Sequence, residues 1–101
     1  MFLYYKGFKM TTTLRFVETR PSTDVPFYTY PEEYTALVQS RHNFTRTRVK
    51  SEDGLQAIIE LTFASVEESR AFTTDPVRTA QLAEAKAYNA ANGIVAVVTR
   101  I

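Results

Sequence analysis

One histidine, no cysteine and a run of tyrosines between two prolines bound the chemistry open to this chain. Without cysteine there are no disulfides, no thiolate nucleophile and no zinc site built on Cys ligands. His42 stands near the end of a predicted helix, where a cation meets the negative end of the helix dipole. It could serve as a general base. A lone, unpartnered histidine, however, satisfies neither a triad nor a metal geometry, so the simpler reading is a solvent-facing helix-terminal residue. Between Arg20 and Tyr34 lie Phe27, Tyr28, Tyr30 and Tyr34, set around Pro26 and Pro31. Rings with phenol handles suit a flat organic ligand, and Arg41 or His42 would supply the one polar anchor such a pocket needs. The plainer alternative is that these rings close the end of a small core or form a dimer contact.

The remaining charged residues direct no reaction. Glu32, Glu33, Glu67, Glu68, Asp75 and Glu84 occupy helix-start or solvent-face positions, and no pair has a spacing that demands acid–base catalysis. Three glycines, none clustered, make no phosphate loop. Arg46, Arg48 and Lys50 form a basic strand face with Phe44, but the expected partner strand carries Glu60 and no aromatic there. An RNA-binding sheet needs aromatic platforms, so a nucleic-acid partner is not expected.

The elements that must position these residues are legible from caps and periodicity. With 101 residues, 45% hydrophobic and 23% charged, the chain has the size and balance of one soluble domain. A net charge of +1 predicts no polyanion or membrane-surface partner. Residues 1–10, aromatic but interrupted by Lys6 and Gly7, make neither a membrane span nor a secretory signal. They read as an N-terminal extension, with Met10 as an alternative start, and the default compartment is cytoplasmic. Residues 11–101 read as a single domain.

Thr11 to Glu18 alternates as a first strand. Pro31-Glu32-Glu33 opens a short helix ending near His42-Asn43, with Tyr34, Leu37, Val38 and Arg41 on one face. Phe44 to Lys50 and Leu55 to Phe63 form a hairpin around Ser51-Glu52-Asp53-Gly54. A two-residue Asp53-Gly54 turn would set Arg46 opposite Leu61 and Arg48 opposite Ile59; the favoured three-residue loop instead pairs Thr47 with Ile59, Val49 with Ala57 and Arg46 with Glu60. That register puts Phe44, Arg46, Arg48 and Ile58 on the face away from the helices. Ser65 with Glu68 is a capping box, and Asp75-Pro76 a second cap. The helix from Pro76 to Ala91 should turn Ala80, Ala83, Ala87 and Ala91 inward with Val77 and Tyr88. Asn92-Gly93 ends it, and Ile94 to Val98 is a strand apolar on both faces. The sum is an α+β, ferredoxin-like β-α-β-β-α-β antiparallel sheet with helices on one face, the second helix broken in two.

The segment with Ala71-Phe72, Asp75-Pro76 and Tyr88-Asn89-Ala90-Ala91-Asn92-Gly93-Ile94 resembles the dimeric α+β barrel superfamily of the antibiotic-biosynthesis-monooxygenase type. The resemblance implies two copies paired as a dimeric α+β barrel. The expected seam is the uncovered sheet face, with Phe44, Ile58, Val95 and Val97. That superfamily includes cofactor-free oxygenases, haem-degrading enzymes, isomerase-like proteins and members without known activity, so it implies fold more than reaction. The residues themselves favour a small homodimeric binding or accessory protein, with no cofactor and no metal. Its partners would be a second copy and a small hydrophobic ligand held by Phe27, Tyr28, Tyr30, Tyr34 and Arg41. The alternative is a cofactor-independent monooxygenase or isomerase acting on a small aromatic or hydrophobic molecule, with His42, Tyr28 and Tyr30 as catalytic groups.

Overall fold

Helix caps place the helical layer, and one hairpin register decides which strand residues face it. The computed structural model describes residues 11–101, so the expectation for residues 1–10 lies outside the described residues. In chain order the elements are β1 (Thr12–Thr19), α1 (Glu32–Arg41), β2 (Phe44–Lys50), β3 (Gln56–Phe63), α2 (Val66–Thr73), α3 (Pro76–Asn92) and β4 (Val95–Arg100). They form a four-stranded antiparallel sheet in the order β2-β3-β1-β4, with both helical segments as crossovers. This is the expected ferredoxin-like arrangement.

The caps act as read. The Ser65 hydroxyl accepts the Glu68 amide at 3.1 Å, and Asp75 accepts the Val77 amide at 2.9 Å, with Pro76 in the first turn. Gly93 ends α3 at φ 69°, in the left-handed region, and the Ile94 amide closes the turn onto the Asn89 carbonyl.

The hairpin corrects the predicted register. Thr47 pairs with Glu60, Val49 with Ile58 and Arg46 with Leu61. Ser51 pairs with Gln56 across a four-residue loop: its amide and hydroxyl bond the Gln56 backbone. The Asp53 carboxylate caps the Leu55 amide, and Gly54 takes φ 76°. Phe44 is therefore turned to the helix side, opposite Phe63, and is not part of the uncovered face. It closes a triangle of rings with Phe63 and Phe72 whose centroids lie 5.3–5.4 Å apart. Burying one such ring is worth about 1.5–3 kcal/mol. The Arg46–Glu60 pair that favoured the other register is worth only a few tenths of that unit. Packing wins, and Glu60 pairs instead with Arg15 of β1 at 2.7 Å.

The core is Leu14, Val38, Leu61, Phe63 and Phe72, with Phe16, Tyr34, Phe44 and Ile59 packed against it. It lies beneath α1 and α2. By contrast α3 commits little to it. The expected alanine stripe (Ala80, Ala83, Ala87 and Ala91) is exposed. The inward face is Arg78, Leu82, Ala85 and Asn89, of which only Ala85 is buried. Alanine fills the solvent face as a helix former, and the single leucine sets the phase. Consequently β4 is exposed along its whole length, on the helix side as well as the other.

Gly93→Ala forces a β-carbon into the left-handed cap, so it should cost about 1 kcal/mol. Thermal unfolding should show a fall of several degrees in the midpoint; an unchanged midpoint would place the helix end elsewhere.

Candidate functional site: the cleft between α3 and the sheet

The shallow packing of α3 leaves a cleft in two chambers. One, of about 100 Å³, lies under α1 among Tyr34, Val38, Phe44, Arg46 and Leu61. The other, of about 430 Å³, runs between α3 and strands β1 and β4, among Leu14, Leu82, Ala85, Asn89, Ala96 and Val98. Phe16, Glu18, Tyr30 and Arg78 line both and so form the neck between them. The larger chamber is within the range of small-molecule sites, and its walls are mainly apolar with a few convergent polar groups.

Each neck residue arrives there for a local reason. Leu14, Phe16 and Glu18 alternate onto the inner face of β1, so Glu18 continues a hydrophobic row. Arg78 sits in the first turn of α3, with its guanidinium 5.1 Å from the Phe72 ring centre. Tyr30 is held by a ring ladder, edge-on to Tyr28 at 5.0 Å and stacked on Tyr34 at 5.3 Å. Burial, reinforced by Tyr34, pushes the Tyr30 phenol up to about 12. Burial also raises Tyr34. Both therefore stay protonated at neutral pH and serve as hydrogen-bond donors or neutral acceptors rather than bases. Burial likewise raises the Glu18 carboxyl above its ordinary value, with Arg48 and Arg46 opposing the rise. Among the described residues Glu18 makes no ion pair.

The other predicted site residues lie elsewhere. Phe27 is covered by Arg20 at 4.5 Å and Arg48 at 5.5 Å and lines neither chamber. Tyr28 accepts a hydrogen bond from Gln81 and leans on Tyr88, at the outer edge of the ring cluster. The Tyr88 hydroxyl donates to the Pro26 carbonyl at 2.6 Å, and the Arg20 guanidinium donates to the Val25 and Gly54 carbonyls. The aromatic segment is thus strapped to α3 on one side and to the β2–β3 turn on the other.

His42 and Arg41 are not in the cleft either. The His42 side chain is 12% exposed rather than solvent-facing. Its Nε2 lies 2.7 Å from Asp75 Oδ2, and its ring stands edge-on to Phe72. Arg41 Nε meets the same carboxylate at 3.0 Å. Asp75 thus binds two residues at the end of α1 while capping α3. The His42 bond and the Val77 amide hold its carboxyl below the ordinary range. No group of three or more His, Cys, Asp or Glu side chains among the described residues could hold a metal, and no described helix is long and apolar enough to cross a membrane.

Sequence reasoning missed Glu18 and Arg78, the two charged residues of the neck. The signal for Glu18 was available: it is a carboxylate in phase with Leu14 and Phe16 on the covered face of a strand.

No protein-family model matches the chain, and neither does any curated protein. Among solved structures, the chain is similar to SnoaB, a cofactor-independent oxygenase from Streptomyces nogalater. The match has 12% identity, a TM-score of 0.64 and covers 91% of each chain. At that identity the likeness establishes a shared fold.

A depressed carboxyl at Asp75 stabilises the folded state above the ordinary aspartate value of 3.8, and the contribution is lost as pH falls through the lower folded value. Asp75→Asn keeps a capping acceptor but removes the charge. The melting difference between wild type and Asp75→Asn should shrink as the pH falls into the acid range where the carboxylate takes up its proton. A difference that is flat down to strongly acid pH would contradict the assignment.

Proposed function

We propose that this protein acts in the cytoplasm on a small aromatic or hydrophobic molecule bound in the cleft between α3 and the sheet, as a cofactor-independent oxygenase. The observation that carries this reading is the neck. There a carboxylate without an ion pair among the described residues, a guanidinium and a protonated tyrosine converge between two apolar chambers. Similarity to an oxygenase that needs no cofactor supports it.

Oxygenation without a cofactor asks little of the protein chemically. The substrate must supply its own electrons, which it does best after losing a proton to become an electron-rich anion. In balance, a ring methylene plus dioxygen gives a carbonyl plus water. The protein has to bind the ring system, accept a proton, offset the developing negative charge and limit water. Tyr30, Phe16, Leu82 and Val98 provide ring contacts, Glu18 a proton acceptor, and Arg78 with Arg46 the positive charge.

The test is oxygen uptake with a panel of oxidisable fused-ring phenols and no flavin, nicotinamide or metal added. The expected result is substrate-dependent uptake that a chelator leaves unchanged. A panel that binds in the cleft without consuming oxygen would favour a second reading, a binding or accessory protein. The strapping of the Tyr28–Tyr30 segment onto α3 is the observation on its side.

The uncovered sheet face supports pairing with a second copy. Val49, Ile58, Val17 and Val97 lie side by side in one row across all four strands, and Val95 adds to its edge. Val49, Val95 and Val97 are all more than half exposed. A contiguous aliphatic row on a face that carries no helix among the described residues supports an interface there. A stable seam there should bury more than about 1,000 Å² in total. Light scattering should give a dimer mass for the wild type and a monomer mass for Ile58→Lys. A wild-type monomer at micromolar concentration would overturn the pairing.

A further inference from the structure

Glu18 is a half-buried charge at a position where the strand pattern calls for an apolar side chain. It occupies the helix-covered face of β1, in line with two core side chains, and its neighbours across the sheet are Ala57 and Ala96. Neither can bond it. Among the described residues, the titratable and charged groups that act on its carboxyl or share its chambers are cationic or neutral: Arg46 and Arg48 from β2, Tyr30 and Tyr34 from the aromatic segment and α1, and Arg78 and Lys86 from α3. None of the cations comes within ion-pair distance of it. Asp75 and Glu60 are paired or capping, whereas the Glu18 carboxylate is half-buried and still reached by solvent. It opens into both chambers of the cleft.

An ionised carboxylate only accepts hydrogen bonds, and a protonated one carries no charge. The surrounding cations therefore match one negative charge at the neck, whether it sits on Glu18 or on a ligand oxygen that has given Glu18 its proton. We propose that Glu18 is the proton and hydrogen-bond acceptor of the cleft, and that the ligand it selects is a flat, weakly acidic phenol or enol whose apolar body lies in the chamber along α3. The inference rests on the cleft being the ligand site. In the step, the ligand O–H bond breaks, an O–H bond forms on the Glu18 carboxylate, and the electron pair stays on the ligand oxygen. Arg78 and Arg46 then face the new oxyanion. No oxidant is required for this step. Tyr30, which lines both chambers, closes the neck beside it.

The elevated Glu18 carboxyl gives an independent readout. Burial that raises a carboxyl withdraws stability as pH rises through its folded value, so the penalty is present at neutral pH and absent in acid. Glu18→Gln should therefore melt higher than wild type at neutral pH, with the gap closing below the ordinary glutamate value of 4.5. A residue with a purely structural role would give the opposite sign.

The binding test uses two fluorescent probes, 7-hydroxycoumarin and its 7-methoxy ether, at a pH below the phenol's own pKa. The wild type should bind the hydroxyl probe about tenfold or more tightly than the ether, the effect of one charge-assisted hydrogen bond. In Glu18→Gln, which keeps a neutral acceptor but loses the charge, that preference should fall severalfold, with a cooperative melting curve showing an intact fold. Equal binding of both probes by the wild type, or a preference undiminished in Glu18→Gln, would overturn the role of Glu18 alone. Binding of neither probe would overturn the cleft as the ligand site, and this inference with it.

Discussion

The carboxylate of Asp75 is the joint on which the helical layer depends. It takes Nε2 of His42 and the guanidinium of Arg41 at the end of α1, and the Val77 amide at the start of α3. These contacts matter because α3 has little else to hold it. An alanine-rich helix that commits Ala85 and part of Leu82 to the sheet buries too little apolar area to set its own height. Its position follows from polar contacts along its length: Asp75 at one end, Gln81 and Tyr88 on the aromatic segment in the middle, and the Gly93–Ile94 closure at the other. A helix held by fixings rather than by packing can stand off the sheet. The cleft along β4 is the consequence.

The same economy explains which parts of the fold were legible. Caps are local chemistry, and Ser65, Asp75-Pro76 and Asn92-Gly93 bounded α2 and α3 to within a residue. Element order and the ferredoxin-like class followed from strand and helix periodicity. Two features were not legible. The hairpin register depended on a ring triangle that joins Phe44 and Phe63 to Phe72, a residue beyond the hairpin, so reasoning about β2 and β3 alone weighed the smaller term. The face of α3 was misjudged because small residues suit close packing and solvent equally well. Only the sparse large residue, Leu82, carried the phase.

For the site, the aromatic segment was visible in composition, and two of its tyrosines, Tyr30 and Tyr34, do line the cleft. His42 and Arg41 stood out as chemically capable groups, yet the fold uses both to hold Asp75. What could not be read was that their acceptor, Asp75, sits more than thirty residues downstream. Glu18 is the converse case. It looked like the polar end of a strand, and it becomes conspicuous only when the alternation of Leu14, Phe16 and Glu18 is set against a helix that leaves that end uncovered. Local rules fail here at a charged residue on an apolar face, which is where function is expected to override them.

We propose that the gap between α3 and the sheet, and not the outer face of the sheet, receives the ligand. Chemical-shift mapping of the backbone amides during titration with 7-hydroxycoumarin tests it most directly. The predicted result is a perturbed set centred on Phe16, Glu18, Tyr30, Arg78 and Leu82, with the amides of Val49 and Ile58 unmoved. Perturbations centred on the outer row of Val17, Val49, Ile58 and Val97, with the neck silent, would contradict it.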